Sequence, residues 1–121
     1  MELFTERAKA IKIGDPFAKS TNQGPQVSQL QFDRIMGYIQ SGKEEGATCH
    51  FGGDKYGSEG YYINPTIFTN VKPHMKIVKE EIFGPVGVII KFETEEGEYA
   101  GWIQYLKCLV KTLISRGDQT G

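Results

Sequence analysis

Val78-Lys79-Glu80-Glu81-Ile82-Phe83-Gly84-Pro85-Val86 joins a helix end, a sharp turn and the start of a strand within a few residues. Pro73 to Glu80 reads as a short helix with Met75, Ile77 and Val78 available to a core. Gly84-Pro85 turns the chain sharply. Val86 to Phe92 then reads as an apolar strand of the kind expected in a sheet covered on both faces. A carboxylate held at such a turn is well placed to accept a sugar hydroxyl, and a neighbouring Phe can pack against a flat ring.

Working back from this stretch, the clearest element is a helix that begins at Ser28. Ser28 is a good N-cap, and Gln31 three residues on completes a capping-box pattern. Phe32, Ile35, Met36 and Ile39 fall at i, i+3, i+4 and i+7 and define one apolar face, while Gly46 stops the helix. Ala47 to Phe51 reads as a short strand. Gly52 to Gly60 reads as a glycine-rich turn, and Tyr61–Ile63 and Pro65–Phe68 read as extended segments. At the start, Glu2 to Ile13 has near-helical spacing of Leu3, Phe4, Ala8 and Ile11, ended by Gly14-Asp15-Pro16. Helices alternating with short strands indicate an α/β arrangement, and the expectation is a mostly parallel sheet with flanking helices.

A chain of 121 residues is one domain or part of one, large enough for a single modest core. With 14 basic and 15 acidic side chains the formal net charge is -1, so nothing attracts nucleic acid or an anionic membrane surface. The start, Met1 to Ile13, is too charged for a signal peptide, and the longest apolar run, Gly84 to Ile90, is too short to cross a bilayer. A reducing, cytoplasmic setting is expected, with the mitochondrial matrix open to a full-length parent. Cys49, Cys108, His50 and His74 show no metal-ligand spacing, so no metal site is expected. Cys49 beside His50 invites a nucleophile-and-base reading, but neighbours on a strand point to opposite faces, and two ordinary half-buried residues are preferred. The glycines of Gly52 to Gly60 match neither phosphate-loop pattern, so a plain turn is preferred there too.

Several stretches in order resemble the aldehyde dehydrogenase superfamily. They are Gly14-Asp15-Pro16-Phe17, Gln23-Gly24-Pro25-Gln26-Val27, Tyr38-Ile39 with Gly42-Lys43 and Glu45-Gly46-Ala47, and Gly52-Gly53. Tyr61-Tyr62-Ile63-Asn64-Pro65-Thr66-Ile67-Phe68 and Lys79 to Val86 complete the series. The resemblance runs from about Leu3 to about Glu96, giving an expected catalytic-domain fragment over residues 1–96 and a divergent tail over 97–121.

The resemblance implies oxidation of small-molecule aldehydes to carboxylic acids with NAD or NADP. A catalytic Cys, a general-base Glu and a dinucleotide-binding motif carry that chemistry in the family. In this likeness Glu81 holds the nicotinamide-ribose hydroxyls, Phe83 packs beside the nicotinamide end, Gln31 reaches the adenosine-side ribose and Arg34 lies at a basic position nearby. From the residues alone, Gln31 is equally the capping-box residue, and Phe83 reads as a core anchor of the turn, a reading that the family likeness shifts toward the cofactor role. Glu80 is expected to face solvent or pair with Lys79.

Neither Cys49 nor Cys108 stands at the family's nucleophile position, and the general-base Glu has no counterpart, so no catalytic residue is assigned. The chain is expected to supply one wall of the cofactor site, to bind NAD(P) only weakly and to be inactive alone. The alternative is a non-catalytic interaction or subunit-associating module; an oligomer is possible but unsupported. In the tail, Trp102, Ile103, Leu106, Leu109, Val110, Leu113 and Ile114 fall on one helical face. An amphipathic helix and translation of shifted or intronic sequence both remain open there.

Overall fold

The computed structural model describes residues 1–91. The expected tail over 97–121, Cys108 and the end of the strand reading at Phe92 lie outside them.

The chain opens with helix α1, Glu2–Lys9, shorter than the expected Glu2 to Ile13. Tertiary pairing ends it early. Lys12 N–H donates to Asn22 Oδ1 at 3.0 Å, and Ile13 forms a parallel bridge with Gln23. No α1 residue is buried, and Leu3 and Phe4 are exposed.

Helix α2, Gln29–Glu44, follows the sequence expectation closely. Ser28 is its N-cap in an extended conformation, with Oγ accepting the Gln31 N–H at 3.2 Å. Its apolar face is the expected one: Ile35 and Ile39 are buried, with Phe32 and Met36 packed against the same core. The helix closes with a Schellman arrangement. Gly46 takes φ +94°, its N–H reaches Lys43 O at 3.3 Å, and Ala47 N–H reaches Gly42 O at 2.9 Å.

Three short strands form one sheet in the order β1 (Thr48–Phe51), β2 (Thr66–Thr69), β3 (Val86–Val88). Strand β1 pairs antiparallel with β2, Cys49 opposite Phe68, with an irregularity between Cys49 and Phe51. Strand β2 pairs parallel with β3, Ile67 opposite Gly87. Among the described residues the sheet is therefore mixed, and the mostly parallel expectation is corrected. The reason lies in the connections. The loop from Gly52 to Pro65 contains no helix and doubles back through the antiparallel bridge Lys55–Ile63, so β2 returns alongside β1 in the opposite sense. Only the β2–β3 connection carries a helix, α3 (Lys76–Lys79), as a parallel crossover needs.

The core is Ile35, Ile39, Ile63, Phe68, Met75 and Ile77, with Val86 and Val88 packed against it. Phe68 and Ile63 are fully buried. Helix α3 has no capping side chain of its own. Glu45, at the end of α2, lends its Oε2 to the Lys76 N–H at 2.9 Å, joining the two helix ends.

Candidate functional site

After α3 the chain leaves Glu80 in an extended conformation and runs back along α2 to Gly84. Three contacts fix this path. Tyr38 Oη donates to Glu80 Oε2 at 2.7 Å, and Gln31 Nε2 donates to the Phe83 carbonyl at 2.6 Å. At Gly84 there is no room for a side chain, because a Cβ would stand 2.5 Å from Ile35 Cδ1. Gln31, Arg34, Ile35 and Tyr38 lie three, four and seven residues apart, so α2 presents them as neighbouring rows.

The result is a cleft of ≈ 550 Å³ between α2, the start of α3 and the following segment. Gln31, Arg34, Glu81 and Phe83 all line it, together with Tyr38 and Lys76. All four sequence candidates, drawn from two separate stretches, thus meet in one place. Tyr38 enters the sequence reading only within the family-like stretch Tyr38-Ile39, and neither it nor Lys76 is expected there as a site residue. The available signal was Tyr38's position seven residues after Gln31, two helical turns along the same side.

Phe83 is 69% exposed, so its ring is not the core anchor of the turn; Ile82 packs against the core instead. Gln31 forms only half of a capping box. Its backbone N–H bonds to Ser28, whereas its side-chain amide goes to Phe83. A carbonyl only accepts, so Gln31 must present its NH2 group there, which leaves its Oε1 as an acceptor. Glu80 is exposed but not idle: it accepts from Tyr38 rather than pairing with Lys79. Glu81 and Arg34 are exposed, and neither makes an ion pair within 4 Å among the described residues. The hydrogen bond to Glu80, aided by desolvation and that carboxylate's charge, holds the Tyr38 phenol above its ordinary pKa; Arg34 acts in the other direction. Lys76 Nζ sits 5.0 Å over the Tyr38 ring and steadies it through a cation–π contact.

The nucleophile-and-base reading of Cys49 and His50 finds no geometry. Cys49 packs against the core, its Sγ donating to the Phe51 and Gly52 carbonyls at 3.6 and 3.5 Å. His50 Nε2 is 3.0 Å from Thr5 Oγ1 instead. Burial pushes the Cys49 thiol up, only partly offset by Lys43, which is the wrong direction for a nucleophile. In the glycine-rich loop, the Gly53 N–H is already bonded to Thr66 Oγ1 at 2.9 Å and does not face an anion. Among the described residues no three His, Cys, Asp or Glu side chains gather as a metal site, and no helix is long and apolar enough to cross a membrane.

Comparison with known proteins gives the family of the chain. Residues 1–100 match the family model for the aldehyde dehydrogenase family. An aldehyde dehydrogenase of Agaricus bisporus is 63% identical over 93 residues, covering 77% of this chain and 19% of that protein. One from Aspergillus niger is 64% identical over 91 residues, covering 75% of this chain and 18% of that protein. In structure, the NAD+ complex of aldehyde dehydrogenase from Bacillus cereus aligns with TM-score 0.78 and 42% identity, over 84% of this chain and 21% of that one. The chain thus spans about a fifth of the length of the relatives it matches. It belongs to the aldehyde dehydrogenase family.

Proposed function

We propose that this chain supplies the nicotinamide-ribose wall of an NAD(P)-dependent aldehyde dehydrogenase site. The observation that carries the reading is the meeting of Glu81, Phe83, Gln31 and Arg34 in one cleft within a member of that family. The donor set fits. The Glu81 carboxylate, without an ion-pair partner among the described residues, accepts two hydroxyls of a ribose diol, and the exposed Phe83 ring offers a flat apolar face. Arg34 and the acceptor Oε1 of Gln31 suit the adenosine-side ribose and its charged surroundings. NAD(P), when bound, supplies the hydride acceptor for aldehyde oxidation. The chain's own residues bind and orient; none of those described has the lowered thiol pKa that covalent attack on an aldehyde requires.

The 121-residue polypeptide is accordingly expected to bind NAD(P) weakly and not to oxidise small-molecule aldehydes by itself. Titration of the 15N-labelled chain with NAD tests this. Shifts confined to the amides of Gln31, Arg34, Glu81 and Phe83, lost in Glu81→Gln, support the reading. Equal shifts in wild type and Glu81→Gln, or aldehyde turnover by the purified chain, sink it.

A second reading, a non-catalytic module that associates with other subunits, is favoured by a different place. Phe4, Ala8, Ile11, Ile67 and Pro85 line a groove of ≈ 670 Å³ beside α1, a helix with no buried residue. Sedimentation of the chain alone and with a full-length family member distinguishes the two readings.

A further inference from the structure

The acidic pair Glu80-Glu81 is divided in the structure: the first carboxylate is bonded to Tyr38, and the second lines the cleft with no ion-pair partner among the described residues. Tyr38 holds Glu80, and two helical turns earlier Gln31 holds the Phe83 carbonyl, so one side of α2 grips both ends of a short irregular segment. The rise of about 10 Å across two turns matches the reach of about three extended residue steps, the separation of Glu80 and Phe83. Ile82 packs against the core and Gly84 abuts Ile35, but the residues on either side of Ile82 have no such anchor. Glu81, Ile82 and Phe83 belong to no helix or strand, and among the described residues their local backbone tie is Gly84 N–H to Ile82 O at 3.0 Å. Two of the three expose their side chains.

We propose that Gln31 and Tyr38 are positioning residues: a two-point clamp on Glu80 and Phe83 that presents the Glu81 carboxylate and the Phe83 ring to the cleft. The choice of atoms supports this role. Gln31 grips the Phe83 backbone and leaves its ring uncommitted. Tyr38 grips the neighbour of Glu81 and leaves Glu81 itself without an ion-pair partner among the described residues. The Tyr38 ring is in turn held under Lys76, so the grip is braced from α3. A purely structural tie has no reason to spare the two side chains that line the cleft. The role in presenting a ligand surface rests on the proposed cofactor reading; the clamp itself does not.

The test uses the full 121-residue chain and three variants: Tyr38→Phe, Glu80→Ala and Gln31→Met. Tyr38→Phe removes only the hydroxyl, and Glu80→Ala breaks the same bond from its other side, which guards against a misfolded variant. Backbone order parameters from 15N relaxation are expected near about 0.85 at Glu81, Ile82 and Phe83 in the wild type. They are expected to fall below about 0.6 in each variant, with Ile67 and Phe68 unchanged. Nicotinamide mononucleotide is then titrated as a probe of the Glu81–Phe83 end, with AMP as the control. Its binding is expected to weaken roughly tenfold in Tyr38→Phe through lost preorganisation, while AMP binding is unmoved. Wild-type order at residues 81–83 in all three variants, or a segment already mobile in the wild type, overturns the clamp. Lost order with no nicotinamide mononucleotide binding in any chain leaves the clamp standing and removes the cofactor reading instead.

Discussion

Gly84 lies against Ile35 so closely that one added carbon would stand 2.5 Å from Ile35 Cδ1 and 2.8 Å from Cγ1. Ile35 is 1% exposed, so its side chain has nowhere to retreat. The glycine of the Phe83-Gly84-Pro85 turn is there for approach to α2. Gly84→Ala is expected to cost about 1–3 kcal/mol of stability by overpacking, measured by urea unfolding. Ile35→Val removes the nearest atom. The double variant should therefore be less unstable than the sum of the two single ones, and strict additivity would show that the contact is relieved elsewhere.

The Ser28 cap gives a second stability expectation. Its hydroxyl satisfies the Gln31 N–H at the start of the helix that frames the cleft. Ser28→Ala should cost about 1 kcal/mol, and Ser28→Asp should retain most of the cap. Equal losses in the two variants would place the role of Ser28 outside capping.

Tyr38 makes the structure sensitive to alkaline pH in a predictable direction. Its phenol is held above the ordinary value mainly by the bond to Glu80. The folded chain therefore keeps this proton in a range where the unfolded chain has lost it. The stability it contributes is complete below the unfolded tyrosine pKa and is lost as pH rises through the higher folded one. Ultraviolet difference titration of wild type against Tyr38→Phe should find the raised phenol, and Glu80→Ala should return it toward the ordinary value. A Tyr38 titration unaffected by Glu80→Ala would show that the hydrogen bond is not its cause.

Cys49 should be a slow thiol. Burial raises its pKa and two carbonyls accept from its Sγ, so in a Cys108→Ser background it should react with iodoacetamide at neutral pH more slowly than a free cysteine. Unfolding the chain should restore the free-thiol rate. A faster reaction in the folded state would revive Cys49 as a nucleophile.

Helix α2 was legible in the sequence because every local signal agreed: the Ser28 cap, the Ile35–Ile39 stripe and the Gly46 stop. Gln31, Arg34, Glu81 and Phe83 are named by the family likeness, and the structure adds that the four share one cleft with Tyr38 and Lys76, which the likeness does not assign to it. Partners decided by tertiary contact were not legible. Nothing in Gln31-Phe32 says that the side-chain amide abandons the capping box for a carbonyl at Phe83, nor does Glu80 announce Tyr38. The same holds for α1, whose helical spacing continues to Ile11 although pairing of Ile13 with Gln23 draws the following residues away. The sheet was misjudged because strand sense depends on how a loop returns, and a glycine-rich loop carries no period to read.

The bond from the Lys76 N–H to Glu45 Oε2 has a consequence for the order of folding. A helix as short as α3 cannot nucleate in isolation, and its first N–H waits for a carboxylate at the far end of α2. Helix α3, and the segment that leaves it toward Glu81, should therefore form only after α2 is in place and the intervening loop has closed. Truncation of Ile77 should speed unfolding with little change in the folding rate, a φ-value near zero, whereas truncation of Ile39 should slow folding. The surface that lines the cleft is on this account among the last parts of the chain to form.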